Sequence, residues 1–462
     1  MRLGFLSRRA IAIGLLVGMG AVSSSAMAAA DPTVAKAILM RSIAIPTVEG
    51  RGQVPKLAAY YASVLKDAGF QPGEIEIAPI GETATLAATL KGSTDAKPIL
   101  MIGHMDVVEA KASDWERDPF VPVEENGYIY GRGSYDNKYD VAMMVATMAQ
   151  LKRDGFVPRR SLILLLSGDE ETHMVTARAL AKKYANAEML LNGDGGGGLL
   201  GEDGKPAFYR IQAGEKSYVD FEVVVTDPGG HSSRPGKVNA IYELSAALDR
   251  LSKYAFPPQI NELTKAVLTA ASKEVGGELG AAMARFVKNP ADTAAADIIS
   301  AYPEFIGQVR TTCVPTMATA GHALNALPQR ASVSINCRIF PGVSIESVQA
   351  ALKKAMDDPN AKFTILGNPA ASDASPLRPD VVAAVTKAVH ANYPGVEIMP
   401  EMSNGATDSM FFRAIGIPSY GVGTVFIKAS DDFTHGLNER VPSGAIKASL
   451  DQWDSVLRDL SR

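Results

Sequence analysis

From Pro98 to Asp194 the chain alternates short apolar runs with segments whose apolar residues recur at helical spacing. Pro98 to Ile102 predicts a strand and Val141 to Leu151 a helix. Ser161 to Leu166 is a continuous apolar run, the mark of a strand buried on both faces. Thr176 to Tyr184 predicts a second helix and Glu188 to Leu191 a further strand. This alternation predicts an α/β fold with a mixed, largely parallel sheet flanked by helices. Ligands of such sheets bind beyond the carboxyl ends of the strands.

The pattern changes after Gly214. Tyr218 to Thr226 alternates like a strand, and Asn239 to Leu251 has helical periodicity. Gln308 to Ala318 and Ala331 to Ile339 predict two strands, Ser344 to Met356 a helix, and Lys362 to Leu366 a last strand. The order β-α-β-β-α-β predicts an inserted ferredoxin-like α+β domain. An Ala-rich helical stretch, about 256–304, interrupts it, and the α/β pattern returns from about Ser372. The expected organisation is a catalytic domain in two parts, 29–214 and 368–462, with the inserted domain at 215–367 between them.

A chain of 462 residues with 47% hydrophobic and 21% charged residues has the size and composition of a soluble two-domain protein. Residues 1–28 stand apart. Arg2, Arg8 and Arg9 precede an apolar run from Ala10 to Val22 and a small-residue end at Ala28, the layout of a secretory signal. The run is too short for a spanning helix, which needs about 20 residues. The expectation is a secreted or periplasmic protein cleaved after Ala28, with no membrane anchor thereafter. Ser7-Arg8-Arg9 leaves the general and twin-arginine export routes both open. Residues 1–28 hold three Arg and no acidic residue, so without them the formal charge moves from −4 to −7. That balance gives no footprint for nucleic acid. Cys313 and Cys337 are the two cysteines, either paired in an oxidising compartment or both buried thiols.

Candidate chemistry sits in five short segments: Gly103 to Asp106, Ser134 to Lys138, Asp169 to Glu171, Asn192 to Asp194 and Thr434 to Gly436. The order His, Asp, Glu-Glu, Asp, His suits a site for two divalent cations. Imidazoles serve as terminal ligands, carboxylates bridge and balance charge, and one spare carboxylate handles a proton. Gly193 to Gly198 also contains a G-x-G-x-x-G string after a strand, but the turn-rich Leu199 to Gly204 follows where a dinucleotide site needs a helix.

Gly-His-Met-Asp-Val-Val at 103–108, Gly-Arg-Gly-Ser-Tyr-Asp-Asn-Lys at 131–138 and Gly-Asp-Glu-Glu at 168–171 resemble the M20 family of dizinc peptidases and deacylases. Gly-Gly-His-Ser-Ser-Arg-Pro at 229–235, Thr-His-Gly-Leu-Asn-Glu at 434–439 and the loop Trp115 to Phe120 are similar to it too. The resemblance implies two divalent ions per chain, zinc first, with cobalt or manganese as alternatives. It implies His104 and Glu171 as ligands, Asp136 as the bridge, and Asp194 and His435 completing the second site. Asp106 then orients His104, and Glu170, beside a ligand, is the general base that takes a proton from a bridging hydroxide's parent water. His231 resembles a lid histidine that reaches the partner subunit's site, so a homodimer through the inserted domain is expected. Asn325, Arg338 and Thr407 match substrate-holding positions. Three departures bear on pocket shape: Tyr139 in place of Gly, His173 in place of a small residue, and the long 256–304 insertion.

Three functions follow as alternatives. The first is hydrolysis of small peptides in the manner of dipeptidases and aminopeptidases, favoured because Asp194 stands where deacylase and carboxypeptidase branches usually carry Glu. The second is an N-acyl amino acid deacylase or carboxypeptidase with the same metals. The third is a non-catalytic binding homologue.

Overall fold

The computed structural model describes residues 29–462; the expected export signal, 1–28, lies outside them. Among the described residues no helix is long and apolar enough to cross a membrane.

Ile99–His104 and Leu162–Ser167 are strands in which every residue is buried, as their unbroken apolar runs require. They pair in parallel, and Met189–Asn192 and then Ser419–Gly421 continue the parallel run on the other side of Ile99–His104. Antiparallel strands Ile75–Ile80 and Thr83–Leu90 extend one edge. Pro206–Glu215 pairs antiparallel with Ser419–Gly421 on the other, and Glu397–Ser403, Gly197–Leu200 and Phe426–Lys428 complete a ten-stranded sheet. Helices Lys138–Arg153, Pro379–Asn392 and Ile446–Leu460 pack on one another and on the sheet in one continuous core. Lys138–Arg153 is buried on nearly all sides, with an apolar stretch from Val141 to Ala149 broken only by Thr147, and Lys138 and Asp140 buried in its first turn. Tyr139 fills part of that core, with its hydroxyl 3.0 Å from Ser449 Oγ.

The inserted unit has the expected order. Ser217–Thr226, Thr312–Ala320, Arg330–Ile339 and Lys362–Leu366 form a separate antiparallel sheet. Val219, Phe221, Val223 and Val225 turn one face toward helices Ala240–Ser252 and Ile345–Met356, while polar residues alternate onto the other. Cys313 and Cys337 are directly opposite each other on neighbouring strands and are joined as a disulfide.

The second lid strand begins later than its sequence suggests. Gln308 and Val309 end the helix Pro303–Val309, and the strand starts at Thr312. Pro303 opens a helical turn, and the apolar residues after it bury against neighbouring helices instead of entering the sheet. The 256–304 stretch folds as helices Glu262–Val275, Gly277–Lys288 and Thr293–Ser300 around a small core of their own. Glu262–Val275 leans on the main sheet, its capping residue Asn261 contacting Met402 Sδ at 3.7 Å, and Gln308 of the adjoining helix Pro303–Val309 donates from Nε2 to the Met402 carbonyl at 3.1 Å.

Candidate metal centre

Leu162–Ser167, Ile99–His104 and Met189–Asn192 are adjacent and parallel, so their carboxyl ends converge. His104 closes the middle strand, Glu170 and Glu171 follow the first, and Asp194 follows the third. Asp136 arrives on the loop before helix Lys138–Arg153, and His435 on the loop before Arg440–Pro442. Gly103 allows the helix loop to come this close: a Cβ there would stand 2.6 Å from Asn137 Oδ1 and 2.8 Å from Val141 Cγ2.

Asp136 lies between the two imidazoles. His104 Nε2 is 2.9 Å from its Oδ1, and His435 Nε2 is 3.2 Å from its Oδ2. Glu171 Oε1 is 2.9 Å from His435 Nε2, and Asp194 Oδ2 is 4.0 Å from His104 Nε2. The direct contacts therefore pair Glu171 with His435 and Asp194 with His104, where the resemblance groups Asp194 with His435. Glu170 forms a cluster with His104 and Asp194 in which the donor atoms lie within 4.8 Å of one another.

Burial pushes the carboxyl groups of Glu170 and Asp194 well above their usual range; neighbouring carboxylates add to this, and His104 opposes it. At Asp136 burial acts in the same direction, but hydrogen bonds from His104 and His435 outweigh it and hold the group below its usual range. Carboxylates crowded in this way repel one another until cations enter among them. Imidazole and carboxylate oxygen are also the donors that zinc and similar divalent ions take. The residues present fit a two-cation site, with one oxygen of Asp136 facing each half.

Asp106 acts through two different groups. Its backbone carbonyl is 3.0 Å from His104 Nδ1, close enough to take the imidazole proton and turn Nε2 toward the cluster. Its carboxylate, 3.6 Å from that nitrogen, instead accepts the backbone N–H groups of Glu170 and Glu171 at 3.1 and 3.0 Å. The carboxylate thus keeps an ion-pair contact with His104 and adds a clamp on the Glu-Glu segment.

Asp136, Glu170, Asp194, Thr407 and His435 line a cavity of about 380 Å³. Thr407 is buried there and donates its hydroxyl to Glu215 Oε2 at 2.9 Å. His231, Asn325 and Arg338 do not line this cavity within one chain. His231 and Asn325 are exposed in the inserted domain, and the Arg338 guanidinium stacks over Tyr218 at 4.6 Å. His173 pairs with Glu49 at 2.9 Å on the surface, and His390 donates to the Val396 carbonyl at 2.9 Å.

The sequence profile of peptidase family M20/M25/M40 matches residues 100–459. The chain belongs to this family. It is 29% identical over 378 residues to the human N-fatty-acyl-amino acid synthase/hydrolase, an alignment covering 78% of this chain and 74% of the relative. It is 25% identical over 389 residues to a probable carboxypeptidase S-like protein of Dictyostelium discoideum, covering 79% and 72%. In fold it is similar to an M20 metallo-carboxypeptidase from Sulfolobus solfataricus, with a TM-score of 0.70 at 19% identity over 92% of this chain and 98% of that one. A dinuclear metal-binding M20 peptidase from Bacillus subtilis shares the fold with a TM-score of 0.58 at 14% identity, covering 93% and 99%. The protein is accordingly an M20 metallohydrolase of amide bonds.

Several residues that shape this M20 site carry no isolated sequence signal. Glu439 is fully buried and accepts from Arg132 Nη1 at 2.7 Å, and from the N–H groups of Gly133, Tyr135 and Asp136 at 2.9, 2.9 and 3.0 Å. Arg132 Nη2 also donates to the carbonyls of His435 and Gly436. Asp408, buried beside the cluster, accepts from the Ser167 hydroxyl. Glu439 ends the 434–439 motif and Arg132 lies in the 131–138 motif, so the pairing of those two motifs was the available clue. Glu439→Gln is expected to destabilise the fold by about 3–5 kcal/mol, because it leaves the Arg132 charge unpaired. It should also weaken divalent metal binding by about 10–100-fold, as loss of a supporting contact does. Thermal unfolding and zinc titration check both; wild-type values would show that Glu439 does not hold the site.

Proposed function

We propose that the protein hydrolyses the amide bond next to a carboxylate-bearing residue, in N-acyl amino acids or at the C-terminus of short peptides. The observation that carries this is Asp136 between His104 and His435 with Glu170 beside them. The human relative acts on N-fatty-acyl-amino acids by name, and the Dictyostelium relative is a carboxypeptidase S-like protein, which supports a substrate with a free carboxylate. His104, Asp136, Glu171, Asp194 and His435 would hold two divalent cations, zinc by the donor set. Such cations polarise a carbonyl and lower the pKa of water.

Glu170 is the proton carrier in this reading. The Asp106 carboxylate fixes its backbone and its side chain lies beside His104 and Asp194, so it is placed to take a proton from water and return it to the departing amine. His231 and Asn325 would act from the partner subunit's lid. The outer strand Thr312–Ala320 is exposed along most of its length, with Met317 69% exposed, an edge able to pair with a second copy. A disulfide in the same sheet suits the oxidising compartment that an export signal implies.

Asp194 favours a second reading, a dipeptidase that accepts a free amino terminus, because the short side chain stops 4.0 Å from His104. A comparison of kcat/KM for a dipeptide and its N-acetyl form separates the two. The proposal expects the acetylated compound to be preferred, and a clear preference for the free amine would replace it with the dipeptidase reading.

Glu170→Gln should keep its metal and lose about 10²–10⁴-fold in turnover; near-normal turnover would place the base elsewhere. Mixing His231→Ala with Glu170→Gln chains under conditions that exchange subunits should restore part of the activity. A fully active monomer by light scattering would refute the shared site.

A further inference from the structure

The cavity beside the candidate cations is strongly acidic. Apart from the candidate ligands and Glu170, it carries Asp140, Glu401 and Asp432. Among the described residues, Arg210 is the single Arg or Lys lining it.

Strand periodicity and a glycine contact place it there. In Pro206–Glu215, Tyr209, Ile211 and Ala213 are buried in or beside the core, and Arg210 and Gln212 turn to the opposite side, into the cavity. The wall next to Arg210 is built by the glycine run after Asp194. Gly196 has φ +73°, and a Cβ there would stand 2.5 Å from the Gly421 carbonyl oxygen and 2.6 Å from that of Arg210. No side chain fits, so the backbones close up and bring Arg210 alongside the loop that carries Asp194. The G-x-G-x-x-G string, which does not open a nucleotide site, has this as its structural consequence.

The guanidinium is held but not saturated. Its Nη1 donates to Glu401 at 3.0 Å. Nε is buried without a partner, and among the described residues no hydrogen bond involves Nη2. The side chain remains 37% exposed to the cavity. A guanidinium anchored at one nitrogen, with other donors unspent, is arranged for a planar anion, and carboxylate is the match. Arg338, the clamp that family resemblance implies, is in the lid and stacks on Tyr218.

We propose that Arg210, oriented by Glu401, is the catalytic-domain residue that binds the substrate's carboxylate. This rests on the preceding reading that the substrate has a free carboxylate. It adds a recognition group within the same cavity as the reacting bond, independent of the lid's position.

The experiment compares an N-acetyl amino acid with its C-terminal carboxamide as substrates for the wild type, Arg210→Gln, Arg210→Lys and Arg338→Gln. The wild type should favour the acid. Arg210→Gln should raise KM for the acid about 10- to 100-fold, the range for loss of a charge-assisted hydrogen bond, and its acid-over-amide preference should collapse by the same factor. Arg210→Lys, which keeps the charge and loses the fork, should fall between. It carries the test alone if the Gln variant does not fold. An acid preference and KM that survive in the Arg210 variants and vanish in Arg338→Gln, or that survive in all variants, overturn the assignment while leaving the proposed substrate class intact. A wild type that cleaves acid and amide equally overturns the substrate class itself, and Arg210's role with it.

Discussion

Glu439 joins two stretches of chain that are 303 residues apart in sequence and must meet for the metal centre to exist. Its buried carboxylate takes three backbone N–H groups from the loop that presents Asp136, and its Arg132 partner takes the carbonyls of the loop that presents His435. A buried ion pair has a desolvation penalty, and it is tolerated where further hydrogen bonds satisfy both partners. Here they do. Asp106 does the same for the other side of the site, gripping the Glu170-Glu171 backbone. Two carboxylates that bind no metal in this account therefore set the positions of the groups that would.

The same reasoning explains where the sequence was legible. Buried parallel strands announce themselves as unbroken apolar runs, and Ile99–His104 and Leu162–Ser167 follow those runs closely. The lid was legible through its alternating strands, because one face packs on helices and the other does not. Hidden from sequence was anything decided by contacts across the fold. Which carboxylate neighbours which imidazole depends on how separate loops meet, so the contacts of Glu171 with His435 and of Asp194 with His104 were not legible in the sequence. Which groups an aspartate presents depends on a turn: Asp106 meets His104 with its carbonyl at 3.0 Å and its carboxylate at 3.6 Å. The helix at Pro303–Val309 replaced part of an expected strand because apolar residues there had a second surface to bury against.

The helical insertion also acquires a physical role. It rests on Met402, in the strand that carries Glu401 and Ser403 into the cavity wall. Glu397–Ser403 pairs with a single strand, Pro206–Glu215, which leaves its other side to be held by packing. Bracing it with a packed helical cluster fixes the wall opposite the candidate cations, and with it the orientation of Arg210. Differences in substrate among M20 enzymes can arise from such walls without any change in the metal ligands.

The central claim is that Asp136 serves both halves of a two-cation site. Zinc binding measured by calorimetry, with elemental analysis of the reconstituted protein, tests it through Asp136→Asn and Asp194→Asn. The wild type should bind two ions per chain, Asp194→Asn should lose affinity at one, and Asp136→Asn at both. A wild type that never exceeds one ion, or an Asp136→Asn protein that still binds two ions with wild-type affinity, would contradict the account.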